Sequence, residues 1–543
     1  MAVLASVNPP ASFPQLLGII AVVAITYGLY ALYGALTSQR PYPNILLVEG
    51  KGGVEAGKRR FIANSQGVVA SAMMQAAKGV ICQIYTDTGP KILLKPEHIS
   101  EIKSDPNFSF DEINKTDFLA ELNSFKPFIM GENAMELFKG IIRVNLTQSL
   151  GRLTVALSEE TALALDTHFP PSKEWKQTPA LAPHLVHFVA QLSARAFLGL
   201  PICRDPTWLR ISGDWTRAFF STTTVIRRYP PWLRELAFRF APEVKTLKQT
   251  HRDAYRIIDA ELQQRRAERR EKGSERKAID TLQWFDDAVA ASGRTGELDI
   301  VNGQLSLTLA AIHTSSNALA HVLFDLAMRP ALVDELRAEI VEVLGAEGSG
   351  NGSGKPVAQW QKTSLYRLRL LDSVLKESQR LNPFAVLLLK RVALRSCTLS
   401  DGTHIPCKQT DVSSRPKARA TVAIPTTYML DPARAYASAS PPEVFDGHRF
   451  AALRASPGEE NRWQYVTTGA EHFGFGVGTH SCPGRFFASN ELKIALVHAL
   501  VKYDWRLVGG AKQRPENWLT ADQIFPNREA GLEYRSREEE IVL

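Results

Sequence analysis

The chain has 543 residues, 45% hydrophobic and 22% charged, with a formal net charge of +8 and a pI near 9.1. Its length alone would allow three or four domains of about 150 residues, but no internal boundary and no repeat of solenoid period appears, so one large unit is expected. Five irregularly spaced cysteines argue against a disulfide framework and for a reducing environment, while the basic excess attracts acidic surfaces.

From Leu16 to Leu36 the chain carries no charge over 21 residues. As a helix this run rises about 31 Å, enough to cross a bilayer. No Lys or Arg precedes it, whereas Arg40, Lys51, Lys58, Arg59 and Arg60 follow, so the positive-inside rule puts the C-terminal bulk in the cytosol. A cleaved signal peptide is the other reading, disfavoured by the length of the run and the lack of a basic start. Residues 1–40 therefore read as a membrane anchor with a transmembrane helix over about 16–36, and Pro41 and Pro43 stiffen its exit.

Further on, Ile81–Asp87 and Lys91–Leu94 flank Thr88-Gly89-Pro90 and read as a hairpin. The stretch from about 140 to 345 is mostly helical by periodicity. Within it Arg265–Lys272 is mixed in sign, which suits a solvated helix face better than a nucleic-acid patch. Leu305–Leu319 is an apolar run of helical length interrupted by His313, Thr314, Ser315 and Ser316. Such hydroxyls often bond back to the carbonyl four residues earlier. Gly348–Gly354 reads as a surface loop.

Glu377 and Arg380 are spaced i, i+3 on one helical face just ahead of Leu381-Asn382-Pro383. By itself the pair reads as an ordinary surface ion pair. Lys390 and Arg391 follow in an apolar strand, Leu387–Val392. Cys407 to Pro416 intervene between Ile405-Pro406 and the strand Thr421–Pro425, and Arg449 closes the segment Pro442–Phe450.

The segment Phe473–Gly484 is the most informative. Glycines 474, 476 and 478 let backbone come close to a flat ligand. Pro483 suits the first position of a helix, and Phe486, Phe487, Leu492, Ala495, Leu496, Ala499 and Leu500 recur as its apolar face. Cys482 thus sits at a helix N-terminus, where the dipole favours a thiolate. A thiolate suits a ferric haem as axial donor. A zinc site with His472 and His480 would want four close ligands, and no second cluster offers them.

Phe475, Gly478, His480, Cys482 and Gly484 match F-x-x-G-x-[RH]-x-C-x-G, and the chain resembles the cytochrome P-450 superfamily. The resemblance implies a mainly α fold with small β-sheets (α+β), residues 41–543 forming one haem domain. It implies haem b with Cys482 as axial ligand to the iron and Phe475, Gly476 and Gly484 lining the loop. His480 and Arg391 would pair with the propionates, with Lys390 as the rival of Arg391. Arg143 or Arg152 could supply a further contact. Glu377, Arg380 and Arg449 would form a buried network that braces the cysteine loop.

Ala310 to Ser315 resemble the oxygen-activation motif of the family. Thr314 would relay protons, Ser315 follows it, and His313 replaces the usual acid as a proton shuttle. Ala311 stands where glycine is usual. By position in the family, Phe118, Phe128, Ala310, Phe384, Val386 and Phe525 are candidates for the substrate pocket. The segment at 407–416 is about ten residues longer than the pattern expects and has no functional account.

The implied activity is a monooxygenase that inserts one oxygen atom of O2 into a lipophilic small molecule, a terpenoid or alkaloid in the fungal members that share the histidine variant. Electrons would come from an acidic NADPH–cytochrome P-450 reductase, with cytochrome b5 as a second donor, because no flavin or nicotinamide fingerprint is evident. The expected setting is the endoplasmic reticulum membrane with lipid contacts and no nucleic acid. A thiolate enzyme that rearranges or dehydrates its substrate is the alternative within haem chemistry, and a membrane-bound haem sensor or carrier is the alternative outside catalysis.

Overall fold

The computed structural model describes residues 41–543 apart from 121, 123–124, 126–131, 230, 273–277, 293–298, 346–354, 362, 408–418, 435 and 437–439, and within 1–40 only 18, 21, 25 and 28. The expected transmembrane helix, Phe128, the loop at 348–354 and the extra segment after Cys407 therefore lie outside the described residues. Among those described, no helix is long and apolar enough to cross a membrane.

The body is mainly helical with small sheets. The site is framed by helices α1 (Thr147–His168), α2 (Leu181–Phe197), α3 (Pro206–Arg227), α4 (Ile300–Leu326), α5 (Arg369–Leu381) and α6 (Arg485–Lys502). α2 packs along α4 and α1, and α6 packs along α1 and against α4. α4 forms because Asp299 caps it, its carboxylate accepting the Asn302 amide at 3.1 Å, ahead of a long apolar run. Buried residues occur around most of its circumference, as expected of a central helix. α5 stops at Asn382 because the following Pro383 disfavours helical backbone there.

The largest sheet runs β1 (Leu46–Leu47), β2 (Cys82–Thr86), β3 (Gly89–Leu93), β9 (Thr421–Pro425), β6 (Leu387–Ala393), β4 (Phe108–Ser109) in spatial order. The expected hairpin is β2–β3, with one correction. Thr86 pairs with Gly89, so Gly89 and Pro90 belong to the strand and the turn is Asp87-Thr88. The small β5 (Lys176–Gln177) lies beside β13 (Leu532–Ser536), which pairs with β10 (Tyr503–Leu507). β7 (Cys397–Thr398) pairs with β8 (His404–Ile405), and β11 (Trp518–Thr520) with β12 (Gln523–Phe525).

Two irregularities position functional side chains. Between Leu388 and Arg391 the pairing of β6 with β9 slips by one residue, and Leu389 takes a φ of 51°. A bulge of this kind re-aims the side chains around it. The helix Glu132–Ile141 passes through a π turn, Ile142–Leu146, before α1 begins. All five cysteines are free.

Candidate functional site

α4 and the Phe473–Gly484 loop both line a cavity of about 310 Å3. The loop contributes Gly474, Phe475, Cys482, Pro483 and Gly484, and α4 contributes Ala310, Ala311, Thr314 and Ser315 among others. The loop folds as its glycines require. Gly476 and Gly478 have φ of 71° and 72°, and a Cβ on Gly478 would lie 2.6 Å from the Lys103 carbonyl. The Cys482 amide donates to the Phe475 carbonyl at 2.7 Å, closing the loop, and Arg485 Nη1 donates to the Cys482 carbonyl at 2.9 Å. A Cβ on Gly484 would meet nothing, so the space beside the sulfur is open.

Burial outweighs the local dipoles and pushes the Cys482 pKa up, while the Gly484 amide, the Arg485 guanidinium and the Arg485 amide pull it down.

Glu377 and Arg380 are not a surface pair. Arg380 Nε and Nη2 each donate to the Glu377 carboxylate at 2.8 Å, and Arg449 Nε donates to it at 3.1 Å. All three side chains are fully buried. Arg449 also donates to the carbonyls of Tyr436, Ser440, Pro441 and Val444, and Arg380 to that of Met429. The three charges thereby pin the segment from Met429 to Asp446 onto α5. A second buried set was not anticipated. Asp372 binds Arg454 at 2.9 Å and Lys493 at 2.6 Å and accepts the Tyr465 amide at 2.9 Å, tying α5 to α6. A third joins Asp325 to Arg514 and Ser378, with Arg514 against His321. These partners are far apart in sequence, so no local spacing could have announced them.

The bulge in β6 sends Lys390 and Arg391 to different surroundings. Lys390 is turned to Asp522 and Asp117. Arg391 is 3% exposed, and its guanidinium lies 5.2 Å over the Phe110 ring, with Nε lacking a partner. His480 approaches the same ring at 5.4 Å between centroids. Its pKa is lowered first by burial and then by Arg391 and Lys139, with Arg143 adding to the effect and Asp111 opposing it. The π turn brings Arg143 to the loop, where Nη2 donates to the Thr479 carbonyl at 2.7 Å. Arg152 stays local, bonded to Ser149.

The oxygen-helix candidates divide. Thr314 lines the cavity and donates its hydroxyl proton to the Ala310 carbonyl at 2.7 Å, as back-bonding hydroxyls do. Ser315 is buried and also lines the cavity. His313 does not line it. Its Nε2 is buried without a partner among the described residues, and burial, then Arg528, Arg217 and His187, push its pKa down to about 4.

Among the pocket candidates, Ala310 and Phe384 line the cavity. Val386 is a core residue, 2% exposed, packed with Leu387 and Ile524. Phe118 packs on Phe219 and Phe220, and Phe525 lies beneath the Arg528 guanidinium at 4.4 Å, so neither contributes to this wall. Ile524, one residue earlier on β12, lines it instead, because neighbouring strand residues face opposite ways. The cavity also takes Phe138, Ile142 and Leu146 from the π-turn region, which periodicity alone did not single out.

Haem, implied by the resemblance, fits these residues. The sulfur of Cys482 is a donor in the wall, the open space at Gly484 leaves room for a flat ligand, and Arg391, Lys139 and Arg143 act on His480, two residues before the sulfur, with Asp111 opposing them. Arg391 Nε, without a hydrogen-bond partner among the described residues, suits an anion such as a haem propionate.

Comparison with known proteins agrees. The family model described as Cytochrome P450 matches residues 220–530. Cytochrome P450 monooxygenase esdpI of Penicillium shearii is 37% identical over 493 residues, which cover 90% of this chain and 89% of that protein. Cytochrome P450 monooxygenase 1 of Gibberella fujikuroi is 36% identical over 85% of this chain and 98% of its own. Cytochrome P450 monooxygenase pyr3 of Aspergillus fumigatus is 33% identical over 96% and 95%.

Proposed function

The chain belongs to the cytochrome P450 family and is a monooxygenase, and from that premise we propose that it oxidises a lipophilic terpenoid or alkaloid of fungal secondary metabolism. Electrons come from NADPH through a cytochrome P-450 reductase, with cytochrome b5 as a second donor. Residues 1–40 hold the enzyme in the endoplasmic reticulum membrane, and the haem domain, 41–543, faces the cytosol. The observation that carries the reading is that Cys482 and Thr314 both line one cavity with mostly apolar lining.

When bound, haem supplies the oxygen chemistry. Cys482 would hold the iron as a thiolate, since a metal cation opposes the effect of burial on the thiol. Arg391 and His480 would pair the propionates, and Glu377, Arg380 and Arg449 hold the segment that backs the loop. Thr314 already donates to Ala310, so towards the cavity its oxygen offers an acceptor that holds and orients a proton-bearing group. His313 stands outside the wall and is neutral well above about pH 4, so it does not act as the acid. Ala310, Phe384 and Ile524 exclude water around the substrate.

The test is the full chain expressed in membranes with a reductase. The reduced protein with carbon monoxide is expected to show the strongly red-shifted Soret band of thiolate ligation, and a panel of terpenoids and alkaloids should yield an NADPH-dependent oxygenated product. A haem-loaded protein without that band would overturn the reading.

A further inference from the structure

His321 lies two turns beyond Thr314 on α4 and lines the same cavity, yet the chemistry above leaves it unused. It is 4% exposed. Arg514 Nη2 donates to its Nδ1 at 2.7 Å. A guanidinium carries donors and no acceptor, so Nδ1 accepts and the ring proton sits on Nε2. Among the described residues Nε2 has no hydrogen-bond partner, but it is not closed off as Nε2 of His313 and both nitrogens of His472 are. The open edge of the ring is therefore the one that meets the cavity.

The surroundings fix this ring. Arg514 Nε donates to Asp325 at 2.7 Å and its Nη1 to Asn517 Oδ1 at 2.7 Å. Ser378 of α5 donates to the other oxygen of Asp325 at 2.6 Å, Asn517 donates to Asn382 Oδ1 at 2.8 Å, and Asn382 Nδ2 donates to the Ser378 carbonyl at 3.0 Å. Ser378 and Asn382 line the cavity as well, so this is a polar corner of it. Phe384, two residues after Asn382, adjoins it with Ile524, whose amide donates to the Phe384 carbonyl at 3.0 Å. The Ser378 hydroxyl and the Asn382 amide are turned to protein partners, whereas the Nε2–H of His321 is left for whatever enters. Burial and then Arg514 hold the imidazole pKa well below its usual value, so the ring stays neutral. With Arg514 paired to Asp325, the corner suits a neutral oxygen better than a carboxylate. A fixed donor in a mostly apolar cavity discriminates strongly, because a ligand without an acceptor leaves it unpaired.

We propose that His321 determines specificity: its Nε2–H hydrogen-bonds a neutral carbonyl oxygen, of a ketone or an ester, on the terpenoid or alkaloid that the enzyme oxidises. The substrate then arrives already oxygenated, so an earlier oxidation or acylation must supply it. With that oxygen held in the polar corner, the hydrocarbon body lies along Phe384 and Ile524, and a carbon elsewhere in the skeleton is presented for oxidation. No covalent bond to His321 forms or breaks. The assignment rests on the monooxygenase reading given above.

The test uses purified, haem-loaded, full-length protein and a panel of matched sesquiterpenes, each a ketone with its parent hydrocarbon, nootkatone with valencene among them. Binding is read from the change in the Soret band on titration. The wild type should bind the ketones more tightly. His321→Phe, which keeps a ring in place, should cut that preference roughly three- to tenfold, the worth of one neutral hydrogen bond. His321→Gln, whose amide accepts from Arg514 and still donates, should restore part of it. In protein carrying isotope-labelled histidine, held as the diamagnetic ferrous carbon monoxide complex, the proton–nitrogen signal missing from both variants should be that of an Nε2–H tautomer. It should move on addition of a ketone and stay in place with the hydrocarbon. No ketone preference in the wild type, equal losses for ketone and hydrocarbon in His321→Phe, or a ring proton on Nδ1 would overturn the assignment. A donor that serves an ordered water alone gives the first of these results. A red-shifted thiolate band in the same samples means that such a failure concerns His321 alone, whereas its absence from the wild type overturns the functional reading as well. Should His321→Phe fail to hold haem, His321→Gln assigns the signal, and its response to the ketone decides.

Discussion

Replacing Glu377 by glutamine keeps the shape of the side chain and removes its charge. The carboxylate now accepts two bonds from Arg380 at 2.8 Å, one from Arg449 at 3.1 Å and one from the Asp446 amide at 3.0 Å. Glutamine would leave two guanidinium groups facing an amide in a site from which water is excluded. Neither arginine can swing out, because five backbone carbonyls between Met429 and Val444 hold them. Breaking a buried pair in this way costs about 3–5 kcal/mol. With a urea slope of about 3 kcal/mol per molar, the lower figure moves the midpoint for haem loss by about 1 M. The assay is the thiolate band of the reduced carbon monoxide complex followed against urea. Glu377→Gln combined with Arg449→Met leaves one unpaired cation in place of two, so the double variant should lose less than the sum of the singles. A Glu377→Gln protein with an unchanged midpoint would refute the claim that these charges brace the loop.

Thr314→Ala should keep the thiolate band and lower product per O2 consumed, measured with an oxygen electrode alongside product assay; full coupling would remove the hydroxyl from the mechanism. Lys376 gives a pH prediction. Burial pushes its pKa down to about 7, and its ammonium donates to the Gln464 carbonyl at 2.8 Å. The unfolded chain holds that proton up to about 10.4, so it binds more protons than the folded chain between the two values, and stability rises with pH across that window. Urea midpoints at pH 7 and pH 10 should therefore climb more in the wild type than in Lys376→Met.

The cysteine loop was legible because its chemistry is local: glycines at fixed spacing, a proline at a helix start and one thiol between them. Thr314 was legible as a hydroxyl in an apolar helix, though its own bond back to Ala310 is hidden in the same pattern. The ion network was half legible, since i, i+3 spacing puts Glu377 and Arg380 together but says nothing of burial. Lys390 and Arg391 could not be separated, because a one-residue slip in β6 leaves no mark in composition. The same limit exchanged Ile524 for Phe525: strand alternation is readable, but which face turns inward depends on a partner strand. Asp372 and Asp325 escaped altogether, since each acquires meaning only from side chains contributed by other helices.

Set side by side, these charges follow one rule. Glu377, Asp372 and Asp325 are each buried and each paired. Around Phe110 the rule fails: among the described residues Arg391, His480, Lys139 and Arg143 meet the acid Asp111, and burial drives the Arg391 pKa down to about 10. A buried cation such as Arg391 is costly in the chain by itself and is relieved when an anion arrives. The propionates should therefore contribute to haem affinity mainly through Arg391. Each charged hydrogen bond is worth about 1.5–3 kcal/mol, at least tenfold in binding. Haem with both propionates esterified should bind the wild-type apoprotein correspondingly more weakly than haem itself, as read by Soret titration. Arg391→Met should narrow that gap about tenfold or more, while Lys390→Met, whose ammonium is already engaged by Asp522, should leave it as it is. If Lys390→Met narrows the gap and Arg391→Met does not, the bulge in β6 has been assigned the wrong consequence.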